Sequence, residues 1–138
     1  MKNLIILFIS LLGISSQGQE NEMLISENPN AIYYLLTDTI KESSFSNENG
    51  HYLEYWIKAK TKGEEVVNGK KYLNNYDLIK FIVDCKGEKF KFLALITYNS
   101  KGEVLKSKYY SEAGKYNDIV PQSSSYTVVK AGCVYWNN

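Results

Sequence analysis

Two long apolar runs meet at a single tight turn in "YDLIKFIVDCKGEKFKFLALITYN", residues 76–99. Every second residue of the first run is apolar, which is typical of a strand with one buried face. The side chains on that face are Ile79, Phe81, Val83 and Cys85. The turn at Lys86–Gly87 is short enough to fold the two runs into an antiparallel hairpin. We therefore expect the core face of this strand to carry the cysteine.

The second run predicts a longer strand over residues 88–99. The side chains expected on one of its faces are Phe90, Phe92, Ala94, Ile96 and Tyr98. Leu93 and Leu95 fall on the other face, so part of this strand is apolar on both sides, as in a central strand covered on both faces. A turn closed by Gly102 leads to another strand over 102–110. Residues 76–110 thus predict a three-stranded antiparallel meander.

Shorter patterns outside the meander extend the sheet. Period-two alternation predicts strands or extended segments in "AIYYLLTD" (31–38), "HYLEYWIKAK" (51–60) and "YNDIVP" (116–121). Residues 19–30 are polar and end in Asn-Pro-Asn, so we expect a loose polar leader there. The turn signal Asn68–Gly69 is expected to lie in a polar loop between two strands.

The tail of the chain changes to a helical period. In "QSSSYTVVKAGC" (122–133), Tyr126, Val129 and Cys133 share one face, and Ser123 occupies a position suited to capping a helix. The β-branched run Thr127–Val129 lowers the intrinsic helix propensity of this segment. The chain therefore predicts an α+β fold, with an antiparallel sheet of about five to six strands and a C-terminal helix packed on it.

The first residues have the layout of a secretory signal peptide. Lys2 precedes an apolar run over residues 4–14, and small polar residues follow it. The run is about eleven residues long, whereas a spanning helix needs roughly twenty. We expect cleavage after Gly18, no transmembrane span in the mature chain, and a secreted, periplasmic or cell-surface location. The alternative for these residues is an N-terminal core helix.

Charge and composition exclude one broad class of partner. The chain has 16 lysines, no arginine and 15 acidic residues, and removal of Lys2 with the signal peptide leaves the mature chain neutral. Nucleic-acid binders need concentrated positive charge to displace counterions from phosphates. Without arginine, bidentate recognition of phosphate or carboxylate is also excluded. We therefore predict no nucleic-acid partner.

The two cysteines, Cys85 and Cys133, are predicted to form a disulfide. A zinc site commonly needs four ligands in paired spacings, and a catalytic thiol needs a histidine nearby. An even cysteine count in an exported chain points first to a disulfide. This bond would pin the terminal helix to the sheet.

The other candidates for chemistry are one histidine and three acids. His51 stands alone before a strand, without a nucleophile or second ligand nearby in sequence. Asp38, Asp77 and Asp84 lie at ends of predicted strands, where aspartates commonly satisfy turns, although two of them brought together could act as an acid and base pair. We predict no catalytic residue, no metal site and no cofactor.

Tyrosine is abundant, with 12 residues in the chain. Several tyrosines alternate on the predicted strands, namely Tyr33, Tyr34, Tyr52, Tyr55, Tyr109 and Tyr110. Some of them must face outward and could form a protein or glycan contact surface, because tyrosine supplies a large contact area at a low entropic cost. The alternative is that most of them form the half-buried rim of a thin core.

The order of these elements resembles the surface-adhesin protein E-like domain family of bacterial exported proteins. The residues that carry the resemblance are Trp56 in its strand, Asp84 and Cys85, Tyr98 and Gly102 in the next hairpin, Pro121 and Ser123 before the helix, and Cys133. The resemblance covers residues 31–134, within a predicted domain of residues 31–138. The chain departs from the family pattern in having no arginine, no lipobox, and Tyr116 where a tryptophan is usual.

The resemblance implies about six antiparallel strands and a C-terminal helix held across them by the disulfide. For the family's namesake it implies a surface protein that binds host matrix proteins. Our leading prediction is an exported, non-enzymatic binding domain that contacts a protein or another macromolecule. One alternative is a secreted haem-type binder with His51 and tyrosines as ligands. Another is a small periplasmic hydrolase or an inhibitor of one.

Overall fold

The computed structural model describes residues 21–43, 51–111 and 114–138. The predicted signal peptide, residues 1–18, lies outside the described residues. The described chain forms ten strands and one α-helix. Their bounds are β1 (Glu22–Glu27), β2 (Ala31–Leu36), β3 (Lys41–Glu42), β4 (Tyr52–Thr61), β5 (Glu64–Val67), β6 (Lys70–Leu73), β7 (Tyr76–Asp84), β8 (Lys89–Tyr98), β9 (Val104–Tyr109), β10 (Asn117–Asp118) and α1 (Ser124–Trp136).

Eight of these strands form one antiparallel sheet. Its main path runs β1-β2-β4-β7-β8-β10, with β3 beside β4 and β9 beside β8. The α+β class, the antiparallel sheet and the C-terminal helix are therefore confirmed. The predicted meander is also present, because β7, β8 and β9 pair in sequence order. Gly102 has a φ of 84°, so the predicted left-handed turn closes the β8–β9 connection.

The prediction of a loose polar leader was wrong, because Glu22–Glu27 form strand β1 and pair with β2. The apolar run Met23–Ile25 supplies the strand, and Ile25 packs against the core. The Asn-Pro-Asn signal does mark a turn. The Asn28 side-chain oxygen accepts hydrogen bonds from the backbone N–H groups of Asn30 and Ala31, both at 2.9 Å, and so stabilises a hairpin turn.

The loop expected around Asn68–Gly69 is also more ordered than predicted, because β5 and β6 form a separate two-stranded hairpin there. Asn68 and Gly69 have φ values of 50° and 79°. Positive φ at both central residues is the geometry that a tight hairpin turn requires. This segment was predicted as a loop because its polar sequence lacks the long apolar alternation that indicates a strand.

A β-bulge in β8 overturns the predicted face of that strand. Phe92 pairs with Phe81, but Ala94 pairs with Lys80, so Leu93 is an extra residue. An inserted residue reverses which side each later residue faces. Phe90 and Phe92 therefore lie on the helix side of the sheet, whereas Ala94, Ile96 and Tyr98 lie on the opposite side.

Helix α1 packs on one side of the sheet, over β1, β2, β4 and β7. The core between them contains Leu35, Leu53, Tyr55, Ile57, Phe81, Val83, Ile119, Val128, Val129, Ala131 and Cys133. Ser123 is the N-cap residue, but its hydroxyl does not cap the helix and instead donates to the Val120 carbonyl at 2.7 Å. The β-branched run is helical because burying Val128 and Val129 outweighs their small propensity cost.

The predicted disulfide joins Cys85, just after β7, to Cys133 in α1, with a sequence separation of 48 residues. The described residues contain no free cysteine. The bond ties the helix to the sheet close to the β7–β8 turn. In that turn the Asp84 carboxylate accepts a hydrogen bond from the Gly87 backbone N–H at 2.8 Å.

Candidate binding site

The predicted haem-type ligand, His51, lies directly before β4. Its backbone carbonyl accepts a hydrogen bond from the Cys85 N–H at 3.0 Å, and its Nε2 atom is buried without a hydrogen-bond partner. Within the described ranges, no group of three or more His, Cys, Asp or Glu side chains could hold a metal ion. In the part of the chain that the structure describes, no such ligand cluster around His51 supports the haem-type alternative.

The three acids are not brought together. Asp38 is exposed in a short 3-10 turn after β2, whereas Asp77 and Asp84 lie at opposite ends of β7. Asp77 accepts a hydrogen bond from the Thr97 hydroxyl at 2.6 Å, and Asp84 satisfies the β7–β8 turn. Among the described side chains these carboxylates share no hydrogen bond, so they form no acid and base pair.

Asp77 nevertheless has a shifted pKa. Burial raises the pKa of its carboxyl above the ordinary value, and the charge of Glu65 raises it further. The hydrogen bond from Thr97 and the charge of Lys106 act in the opposite direction. Desolvation of the carboxylate is the largest of these effects, so the net shift of the Asp77 pKa is upward.

The side of the sheet opposite α1, which we call the open face, is rich in aromatic and lysine side chains. Strand register places them there, because residues paired directly across strands share a face. The open face includes Tyr34, Tyr52, Trp56, Lys58, Tyr76, Lys80, Tyr98 and Tyr109. Of the other tyrosines, Tyr55 is buried beneath α1, and Tyr33 packs against the same core.

One cluster on the open face is built around Tyr76. Its ring stacks on that of Tyr98, with centroids 4.9 Å apart and an interplanar angle of 9°. The Lys58 ammonium lies 4.9 Å from the Tyr76 ring centroid and 2.7 Å from a Glu22 carboxylate oxygen. Tyr76, Lys58 and Glu22 line a cavity of about 290 Å³ together with Tyr34 and three other residues. These contacts hold the rings in fixed orientations.

A second cluster surrounds Trp56. The Lys80 ammonium lies 5.9 Å from the Trp56 ring centroid and 3.6 Å from a Glu54 carboxylate oxygen. Tyr109, which is 71% exposed, borders the same shallow cavity of about 260 Å³. The prediction that some tyrosines face outward is therefore correct for Tyr109. The half-buried alternative describes four of the six predicted residues, namely Tyr33, Tyr34, Tyr52 and Tyr110.

Tyr116 and Tyr52 cover one end of the open face. Their ring centroids are 5.6 Å apart, and the ammonium of Lys91, which is only 6% exposed, lies 4.8 Å from the Tyr116 ring. Burial raises the pKa of the Tyr116 hydroxyl, and the neighbouring Tyr52 adds to this effect. The aromatic ring of Tyr116 thus occupies a structural position above a buried lysine stem.

Sequence reasoning had missed Tyr76, Lys80 and Tyr98 as parts of this surface. The first two alternate with the core residues of β7, so their period-two spacing was a usable signal. Tyr98 could not be assigned in the same way. It reaches the open face only because Leu93 shifts the alternation of β8.

Comparison with known proteins identifies one family. The model of the family described as surface-adhesin protein E matches residues 23–134. Comparisons with curated proteins and with solved structures gave no significant match. Among the helices that the structure describes, none is both long and apolar enough to cross a membrane. Because the family match extends over most of the residues in this chain, the chain belongs to the surface-adhesin protein E family.

Proposed function

We propose that the protein is an exported, non-enzymatic binding domain that contacts another protein, in the envelope or outside the cell, through the open face of its sheet. Family membership supports an adhesin-like role and a secreted or cell-surface location. The observation that carries the choice of surface is the pair of ordered aromatic clusters around Tyr76 and Trp56.

The composition of the open face suits a protein interface. Tyrosine and tryptophan are enriched at such interfaces and supply most of the binding energy at their centres. Here the rings are already held by stacking and by lysine contacts, so binding would order few side chains. Less ordering lowers the entropic cost of association.

The charges of the open face favour a protein over a polyanion. Lys58 is paired with Glu22, and Lys80 is paired with Glu54. A polyanionic partner would need these ammonium groups unpaired, because its affinity for a protein comes from the counterions that free cationic groups displace from its phosphates. The paired lysines instead provide a mixed surface on which hydrogen bonds can fix the register of a protein partner.

The test is binding of the exported protein to immobilised collagen, fibronectin and laminin, measured by surface plasmon resonance. Trp56→Ser and Tyr109→Ser are the test variants, and Tyr135→Ser is the matched control. Tyr109 and Tyr135 are both exposed, but Tyr135 lies on α1, on the other side of the sheet. We expect at least one matrix protein to bind, and the Trp56 variant to bind it at least about tenfold more weakly.

The Tyr109 variant should also lose affinity, while the Tyr135 variant should match the wild type. Circular dichroism of each variant verifies that the fold is retained. Equal affinity of all three variants for a bound matrix protein would exclude the open face as the contact surface.

A further inference from the structure

The helix side of the sheet contains an open apolar groove of about 320 Å³ beside α1. Its floor comes from β7 and β8 and one wall from α1. The lining includes Ile79, Phe81, Phe90, Phe92, Ser125 and Val128. The volume falls at the lower end of the range for small ligand sites, about 300–1,000 Å³.

The groove exists because α1 packs mainly over β1, β2, β4 and β7 and leaves β8 less covered. Phe92 is 38% exposed, although its ring lies 5.1 Å from that of Phe81 and 5.4 Å from that of Phe90. A contiguous apolar surface of this kind marks a contact site more often than a single exposed residue does.

The rim of the groove toward β9 is positively charged. Lys106 and Lys108 pair with Thr97 and Leu95 of β8, which places both lysines on the helix side. The Lys108 ammonium lies 4.8 Å from the Tyr110 ring centroid, and that ring lies 5.8 Å from the Phe92 ring. Neither lysine forms a salt bridge with a described residue.

Two acids lie near the groove, and neither forms a salt bridge with this rim. The charge of Lys106 acts on Asp77, whose Oδ1 accepts the Thr97 hydroxyl hydrogen bond. At the other end, Glu88 pairs with Lys130 at 3.3 Å. An occupant that brings its own carboxylates would therefore meet the two lysines of β9.

We propose that this groove docks an extended acidic segment of a partner protein, with one large apolar side chain in the groove and carboxylates on Lys106 and Lys108. The spacing of the lysines supports a peptide over a single-headed amphiphile. They are two residues apart on one strand, so their Cα atoms are about 7 Å apart. Alternate side chains of an extended peptide repeat at the same distance. This site lies on the opposite side of the sheet from the open face and does not depend on the function proposed for it.

The probe is the synthetic peptide Gly-Phe-Gly-Glu-Gly-Glu-Gly with blocked ends, titrated into the exported protein and followed by NMR. We expect shifts of the Ile79 and Val128 methyl groups and of the Lys108 amide. A peptide with serine in place of phenylalanine should bind at least about tenfold more weakly, because it loses the burial of an aromatic ring.

Protein variants separate the two parts of the site. Ser125→Trp should fill the groove and abolish the methyl shifts, because Ser125 is an exposed residue on its wall. Lys106→Glu with Lys108→Glu should weaken binding about tenfold or more through charge reversal. Lys86→Glu with Lys101→Glu makes the same charge change in two exposed turns and should leave affinity within about twofold.

Several outcomes would overturn the proposal. They are the absence of shifts with the acidic peptide, equal binding of the serine peptide, and displacement of the peptide by decanoate, which would indicate a site for a lipid-like anion. A concentration-dependent dimer that Ser125→Trp dissociates would also overturn it, since the groove would then hold a second copy of the chain. Retained peptide binding in Tyr109→Ser distinguishes this result from failure of the open-face proposal.

Discussion

Tyr55 connects the sheet to the helix through one buried side chain. Its ring is fully buried, and its hydroxyl donates a hydrogen bond to the Val129 carbonyl in α1. Burial strongly raises the pKa of this hydroxyl, so it remains a hydrogen-bond donor throughout the physiological range. Gly132 lies against the same ring, and a Cβ at this position would overlap it. Glycine is thus required in the helix for close approach of the Tyr55 ring.

We predict that Gly132→Ala destabilises the protein, although alanine favours a helix by about 1 kcal/mol over glycine. The overlap with Tyr55 should cost about 1–3 kcal/mol in excess of that gain, as overpacking does in other cores. Urea denaturation measures the change in unfolding free energy.

The control for this prediction is the same substitution in a Tyr55→Leu background. There Gly132→Ala should be neutral or stabilising, because the ring that opposes the new methyl group is gone. A destabilisation of the same size in both backgrounds would contradict the proposed clash.

Asp77 gives a prediction about pH. Its native pKa is raised, so the folded state binds the proton more tightly than the unfolded state does. Stability linked to Asp77 is therefore complete below the unfolded pKa, about 3.9, and is lost as pH rises through the native value.

The variant Asp77→Asn removes this titration and can still accept the Thr97 hydrogen bond. We expect the unfolding free energy of the wild type, relative to this variant, to fall as pH rises above about 4. Denaturation curves of both proteins across a pH series provide the measurement, and a constant difference would contradict the prediction.

At the residue scale, the sequence predicted local structure correctly where a single rule applied. Asp84 satisfies a turn and Gly102 takes a left-handed φ, as expected. Ser123 occupies the cap position, but its hydroxyl turns back to Val120. Which acceptor a hydroxyl chooses depends on side-chain geometry that the sequence does not specify.

Among the elements, α1 depends most on its surroundings. Its segment combines a β-branched run with a disulfide that closes 48 residues of sequence separation. We predict that replacing both Cys85 and Cys133 with alanine lowers the unfolding free energy by about 2–5 kcal/mol. Urea denaturation followed by circular dichroism measures this loss.

Reduction of the wild-type protein is the matched experiment for the disulfide. The reduced wild type should unfold near the midpoint of the double alanine variant, since both lack the same crosslink. A midpoint unaffected by reductant would show that the bond does not stabilise the folded chain.

The long strands were predictable because their apolar alternation is uninterrupted over many residues. β1 was missed because only three apolar residues identify it between polar neighbours, and its stability comes from pairing with β2. The hairpin β5–β6 was missed for a similar reason. Short strands are determined by their partners, and those partners become known only when the sheet is assembled.

For the whole molecule, export remains a prediction of the sequence. We expect a chain expressed in a bacterial host with its own first residues to appear outside the cytoplasm, beginning at Gln19. Intact mass spectrometry should also find it lighter by two hydrogen atoms than the reduced chain. Export of a chain that retains residues 1–18 would contradict the predicted cleavage.

For the whole molecule, the sequence indicated which types of residue form the open face, but not which individual residues lie on it. Aromatic residues and lysines were visible in the composition, and Trp56 and Tyr109 alternate in their own strands. The clusters themselves required the register between β4, β7, β8 and β9. The groove was not predicted, since it results from where a helix stops covering the sheet.

The bulge at Leu93 makes one strand serve both surfaces. Before it, β8 contributes Phe90 and Phe92 to the groove, and after it the same strand contributes Tyr98 to the open face. Deleting this one residue would remove the bulge but keep Phe92 opposite Phe81 and Ala94 opposite Lys80, so both sets of side chains would stay on their present sides. A one-residue insertion or deletion elsewhere in β8 would instead turn one of the two sets to the wrong side of the sheet, because side-chain direction alternates with every residue.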